Sequence, residues 1–483
     1  MSDGTAKAAK PAALTPDICV VGAGGNGIAL ATAAAAFGVS VVLVERSKLG
    51  GSSGPLALKA LIEAGAAAQA IRDAGRLGLN AGDPQANPAQ LHDHVRRALA
   101  TEAANHAEER LKALGITILR GEARFISRST VRVGEQVIKA RRFAIAIGAR
   151  SPRPELPGLD AGHLIGEDEL SGLTRLPERP IILGGSATGT ALAQALQRLG
   201  RPATLVASEG LLPEHDAEAV LLVRRRLLRE GLALLEGAQP IRAERSRSGL
   251  RLILSGAAGE IAVEGTHVLL AAPRRPEIAV LDLDLGGIRH DASGILVDKS
   301  LRTSNRRVYA LGDCAGGSAT ATADRAGEDH AGLVLRSILF RQSVRIDPAG
   351  YPRVAWCEPE IAATGLSEAA ARAKAGTIQV LRWPFAEVAG ARTAEEAEGF
   401  VKLVTDSKGR ILGVTIVGAG AGELIAPWCV AAKAGLTVTD MAGVVMPALG
   451  RSDASRRAAL SFHVPSTANP RLRRLIGFLR RFG

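Results

Sequence analysis

The sequence predicts an α/β fold with two parallel strand-helix-strand units and a C-terminal α+β domain, and three observations carry that reading. Two stretches repeat one design of apolar strand, glycine turn, Ala/Leu-rich helix and second apolar strand: DICVVGAGGNGIALATAAAAFGVSVVLVE (17–45) and PIILGGSATGTALAQALQRLGRPATLVAS (180–208). Short apolar runs alternate with helical ones up to about residue 340, the pattern of parallel sheets with crossover helices. From about Asp347 the texture changes. EGFVKLVTDSKGRILGVTIVG (398–418) reads as two strands joined at an Asp-Ser-Lys-Gly turn, with helices after them.

At 483 residues the chain has room for roughly three domains and a core that needs no staples. Hydrophobic residues at 47% and charged residues at 22% exclude disorder, collagen and a coiled-coil rod. Lys and Arg number 60 against 48 Asp and Glu, a net charge of +12. That excess admits nucleic acid or an acidic surface as partner, but aromatics are only 3% and no base-reading motif is present, so no nucleic acid is expected. Residues 1–15 read as a flexible lead-in without an apolar run, which argues against a secretory signal and for the cytoplasm. The cysteines, Cys19, Cys314, Cys357 and Cys429, are too far apart for a CxxC metal or redox motif, and no metal site is expected.

In the first unit Ile18 to Val44 is uncharged for 27 residues, long enough for a membrane span. The glycines at 22, 24, 25 and 27 break it, and a strand buried on both faces explains the apolar run. Gly22, Gly24 and Gly27 form GxGxxG between strand and helix, and Glu45 ends the next strand 18 residues after Gly27. This is the dinucleotide-binding arrangement: a tight turn, backbone open to a pyrophosphate, close helix-strand packing, and a carboxylate for a ribose hydroxyl. In the second unit Gly184, Gly185 and Gly189 keep the pattern. Ser186 stands where a glycine would let a pyrophosphate close in, and Ala207 and Ser208 end the following strand in place of an acid. Nucleotide binding and a purely structural domain both remain open there. A helical region, Leu56 to Leu114, and a Pro-rich boundary near residue 155 separate the units.

These units, with the segments LGGSSG at 49, AIGARSP at 146, VYALGDCAG at 308, EPEIAATGLSEAAAR at 358, WPFAE at 383 and EGFVKLV at 398, resemble the FAD-dependent pyridine nucleotide-disulfide oxidoreductases, in particular dihydrolipoamide dehydrogenase and mercuric reductase. The resemblance covers nearly the whole chain. It implies an FAD domain at 16–155 and 272–345, an NAD(P)-binding-like domain at 156–271 and a dimerisation domain at 346–469 that builds a homodimer. It also implies FAD on Gly22, Gly24, Gly27, Glu45, Gly51, Gly148 and Asp313, and NADH or NADPH on Gly184, Gly185 and Gly189.

The departures from the family are as informative. Where the family has a CxxxxC pair beside the flavin, this chain reads LGGSSGPLALKALIEAG, with Ser53 at the first cysteine position and the second missing. A serine hydroxyl forms no disulfide and no charge-transfer thiolate. The family's partner-subunit acid/base tripeptide falls on Ala448, Leu449 and Gly450, with Asp453 near its glutamate. A lone His463 reads as a structural hydrogen-bonder. Lys59 is retained near the flavin, while its family partner, a glutamate, is replaced by Ala191; an unpaired buried lysine would lose its charge readily.

The end of the chain, 470–483, reads as a basic amphipathic helix with Arg471, Arg473, Arg474, Arg480 and Arg481 between apolar residues. It either docks on its own domain or meets an anionic membrane or acidic protein, which would place the protein at the inner face of the membrane. Two functions stand. One is an oxidoreductase passing electrons from NAD(P)H through FAD to a small-molecule acceptor without a disulfide relay. The other is a catalytically degenerate flavoprotein serving as a binding or scaffold subunit.

Overall fold

The computed structural model describes residues 12–247, 249–272, 274–316, 326–347 and 350–482. Most of the expected lead-in, residues 1–11, lies outside them. The first sheet is parallel throughout and runs in the order Val308–Ala310, Arg142–Ile145, Ile18–Val21, Val41–Glu45, Thr117–Arg120. Its central strands are buried at every position because both faces are covered. Ile18, Val20, Val41 and Leu43 pack under the helices Gly25–Ala36 and Ala326–Leu339. Cys19, Val21, Val42 and Val44 face the other way, toward Phe125, Val131 and Ile138 of a three-stranded antiparallel sheet. Continuous apolar runs follow from that two-sided burial.

The second parallel sheet runs Ala233–Glu236, Thr204–Ala207, Pro180–Leu183, His267–Leu270, Leu164–Ile165. Helices Ala187–Arg198 and Ala217–Arg229 cover one face through Leu192, Leu196, Val223 and Leu227. Leu250, Leu252 and Leu254 of an antiparallel sheet cover the other.

The C-terminal domain is built on a five-stranded antiparallel sheet. The expected pair, Phe400–Thr405 and Ile411–Gly418, lies within it, and the structure adds Arg353–Ala355, Glu360–Gly365 and Gln379–Pro384. Two of these added strands, Arg353–Ala355 and Gln379–Pro384, form the edges, and polar or proline residues interrupt their apolar pattern. Trp428 is fully buried beneath the sheet and donates through Nε1 to Ser455 Oγ at 3.1 Å.

An ion network joins this domain to the second parallel unit. Buried Glu230 accepts from Arg198 (2.6 and 2.8 Å) and Arg226 (2.5 Å). Arg198 continues to Glu358 at 2.7 Å, and Arg226 reaches Asp73 on the long helix Gly54–Asp73 at 2.9 Å. Gln194 locks the same joint with paired bonds to the Glu358 backbone. Nearby, Lys402 is buried and meets Asp216 at 2.9 Å and Glu218 at 2.8 Å. Buried charges persist when every one is paired.

His215 is the opposite case, a ring whose buried Nδ1 has no hydrogen-bond partner. Burial, and then the Arg353 charge, pushes its imidazole down to about 4 from 6.5. Between those pH values the unfolded chain takes up a proton that the folded chain refuses, so stability is full above pH 6.5 and declines as pH falls, by about 3 kcal/mol at most. Urea midpoints followed across this window should fall less steeply in His215→Asn than in the parent; equal slopes would contradict the assignment.

Candidate functional site

The two glycine turns are near copies at the carboxyl ends of their sheets. Gly22 has φ +103° and Gly184 φ +122°, and a Cβ on either would stand 2.5 or 2.4 Å from a carbonyl oxygen, of Ala146 or Ala271. A Cβ on Gly27 would lie 1.9 Å from Gly22 O, and one on Gly189 2.0 Å from Gly184 O. Helix and turn therefore touch backbone to backbone in both units.

The first turn is open toward a ligand. Nothing lies within 4 Å of a Cβ built on Gly24 or Gly25. Gly50 and Gly51 run alongside, with the Gly50 N–H donating to Ala23 O at 2.8 Å. Buried Glu45 closes one end: Oε2 accepts the Ala23 N–H at 2.7 Å, and Oε1 accepts from the Ser47 N–H and hydroxyl. Gly148 turns at φ +66°, with nothing within 4 Å of its own Cβ position. Asp313 follows the strand Val308–Ala310 at the same sheet end, half exposed, with Arg274 Nη1 at 3.3 Å. Arg274 is held in turn by Ala149 O, to which its Nε donates at 3.1 Å. A cradle of open glycine backbone, a helix N-terminus and a carboxylate at the point where the sheet order reverses fits a dinucleotide.

The second turn keeps the first and last glycines and differs at the four positions between them, Ser186 among them. Ser186 does not project toward the ligand side, as the sequence had led us to expect. Its Oγ accepts the Gly189 N–H at 3.2 Å and donates to Ala271 O at 3.0 Å, so it caps its own helix. The segment after Ala207 folds onto this turn: the Leu212 N–H donates to Gly185 O at 2.7 Å, and Leu211 and Leu212 are buried. Ser208 Oγ donates to Ala238 O. The backbone geometry suits a pyrophosphate, and no carboxylate ends the second strand.

Ser53 is the N-cap residue of Gly54–Asp73, and its hydroxyl donates to Ser171 Oγ at 3.0 Å. A Cβ on Gly54 would lie 2.5 Å from Glu167 O, so the helix start is pressed against the segment 167–172. Lys59, one turn further, corrects the expectation of an unpaired lysine opposite Ala191. Its side chain is 38% exposed, bonds Glu63 at 2.6 Å and rests 4.2 Å from the Trp356 ring centroid. A partner four residues along the same helix replaces the missing glutamate. Beside them Glu360 accepts the Gly422 N–H at 2.8 Å, its carboxyl pushed up by burial. Local pattern assigned no role to Arg274, Trp356 or Glu360.

All four cysteines are free and stand on separate elements. Ala448 and Leu449 are exposed, and Leu449 has φ +61°. Asp453 is tied to Arg457 at 2.6 Å. His463 is exposed and stacks edge-on against Phe462. No metal cluster occurs among the described residues.

Two dinucleotide folds joined to an α+β domain define a flavoprotein reductase architecture. Residues 16–328 match the pyridine nucleotide-disulphide oxidoreductase family and residues 351–459 match its dimerisation domain, so the chain belongs to that family. It is 32% identical to the dihydrolipoyl dehydrogenase of Thermus scotoductus over 464 residues, covering 93% of this chain and 98% of that one. It is 29% identical to a mercuric reductase of Bacillus cereus over 453 residues, covering 92% and 71%. The solved structure of LpdA from Mycobacterium tuberculosis superposes with a TM-score of 0.82 at 24% identity, covering 93% and 99%. The copper(II) complex of the Escherichia coli flavoprotein disulfide reductase RclA, in a cysteine-to-serine mutant, gives 0.80 at 22%, covering 92% and 99%. The family uses FAD and NAD(P)H, and its dimerisation domain supports a homodimer.

Glu45→Ala removes a carboxylate that holds the Ala23 turn and faces the cradle. Loss of one such charged hydrogen bond should weaken FAD retention about tenfold. The flavin-to-protein absorbance ratio after desalting checks this, and an unchanged ratio contradicts the assignment.

Proposed function

We propose that the protein is a homodimeric, cytoplasmic FAD-dependent oxidoreductase that moves electrons from NAD(P)H to a small acceptor, such as a quinone, metal ion, dye or oxygen, without a protein disulfide. The carrying observation is the helix start beside the cradle, where Ser53 stands at the family's first cysteine position and its hydroxyl is held by Ser171 Oγ. The cysteines elsewhere support it. Burial pushes Cys19 and Cys357 up to about 12 and Cys314 up to about 11, which disfavours the thiolates that exchange chemistry requires.

Bound FAD supplies the two-electron chemistry, and the protein supplies position and electrostatics. Gly22, Gly24, Gly27, Gly51 and Gly148 would hold it, Glu45 would accept ribose hydroxyls and Asp313 would bond the ribityl region. Gly184, Gly185 and Gly189 would hold the nicotinamide dinucleotide. With Ala207 and Ser208 at the strand end, neither a ribose carboxylate nor a phosphate-binding arginine selects between NADH and NADPH. Ala448, Leu449 and Gly450 carry no titratable side chain, so a proton required by the acceptor would come from solvent.

A second reading, a flavin-bearing scaffold, draws support from the missing acid at the end of the second unit's second strand, where Ala207 and Ser208 stand. Anaerobic addition of NADH and then NADPH separates the two. Rapid bleaching of the flavin is expected, with dye-reductase turnover preserved in Ser53→Ala. A yellow spectrum unchanged by either nucleotide would reject the oxidoreductase and leave the scaffold.

A further inference from the structure

The tail has no place in the chemistry above. Pro470–Leu479 is a helix capped by Asn469, whose Oδ1 accepts the Arg471 N–H at 2.9 Å. None of its residues is buried, which answers the expectation that it packs on its own domain. Leu472, Leu475, Ile476, Phe478, Leu479 and Phe482 are 38 to 73% exposed. At 100° per residue the five within the helix occupy an arc of about 160°, and Phe482 follows the helix end. Arg473 and Arg474 lie on the opposite side, Arg480 and Arg481 follow the helix end, and Arg471 lies in the first turn just inside the edge of the arc. The match to the dimerisation domain ends at residue 459, so the tail is an addition to it.

We propose that this helix docks the protein on an anionic lipid bilayer. Charge decides the occupant. From Ala454 to the end of the chain there are seven arginines and no acidic residue or lysine. An apolar arc this wide, flanked by cations of one sign, buries its leucines and phenylalanines at the acyl boundary while the guanidinium groups meet phosphates. Ten residues of helix span about 15 Å, half of a hydrocarbon core, so the helix lies along the interface and does not cross it. Among the described residues no helix is long and apolar enough to cross a membrane. An acidic protein surface would pair with the arginines and leave the exposed apolar arc in water. This inference is independent of the electron acceptor and of whether the flavin turns over.

Flotation of the FAD-loaded full chain with vesicles tests it. The chain is expected to rise with phosphatidylglycerol-containing vesicles and to stay behind with pure phosphatidylcholine. Arg473→Glu and Arg474→Glu should each weaken binding by at least about fivefold, and added salt should weaken it further. Leu475→Asp should weaken flotation on the phosphatidylglycerol-containing vesicles as well, through the apolar face and not the charge. A chain ending at Asn469 should keep its flavin spectrum and its sedimentation coefficient while losing flotation. Equal flotation with and without the tail overturns the proposal, as does absence of flotation for the full chain. Dissociation of the dimer on truncation would also overturn it, because the apolar arc would then cover a second copy.

Discussion

Everything at the nucleotide sites depends on backbone meeting backbone. A carbonyl oxygen stands where any side chain on Gly27 or Gly189 would begin, so only glycine lets the helix sit this close to its strand. That approach brings the free N–H groups of the helix start to the carboxyl end of the sheet, an arrangement suited to a phosphate. It occurs twice with nearly equal distances, which marks the two units as one design used twice. The difference between them lies in the residues between the shared glycines. Gly24 leaves its turn open, and Ser186 commits its hydroxyl to capping.

The same closeness appears at the helix Gly54–Asp73. Its start is pinned to the segment 167–172 by the Gly54 contact and the Ser53–Ser171 bond. Its end is pinned through Asp73 to Arg226 and so to the network around Glu230. That network crosses into the C-terminal domain through Glu358, so one set of charges, buried at Arg198, Arg226 and Glu230 and reaching solvent at Asp73 and Glu358, links the long helix, the second unit and the dimerisation domain. Removing Glu230, the buried centre of the set, would strand Arg198 and Arg226, at a cost of about 3–5 kcal/mol. A joint of this kind holds the two parallel units and the C-terminal domain in register.

Much of this was legible before the structure. Strand burial on both faces, the glycine turns, Glu45 and the basic tail helix follow from local pattern, because each depends on residues near one another in sequence. The edge strands Arg353–Ala355 and Gln379–Pro384 were not legible, since edge positions tolerate Arg, Gln and Pro and lose the alternation that marks a strand. Side-chain direction was also hidden. Ser186 turns back to Gly189, and Lys59 finds Glu63 and Trp356, because each is decided by neighbours that folding supplies. Arg274 reaches Asp313 from a loop far along the chain, and no local signal announces such a pair.

The central claim is that the protein stores electrons on its flavin alone. An anaerobic dithionite titration of the purified homodimer tests it directly. A flavin with no thiol pair takes up one two-electron equivalent per FAD, bleaching in a single phase without a long-wavelength thiolate-to-flavin band. Uptake of a second equivalent per FAD, accompanied by that band, would reveal a dithiol in electronic contact with the flavin and contradict the account.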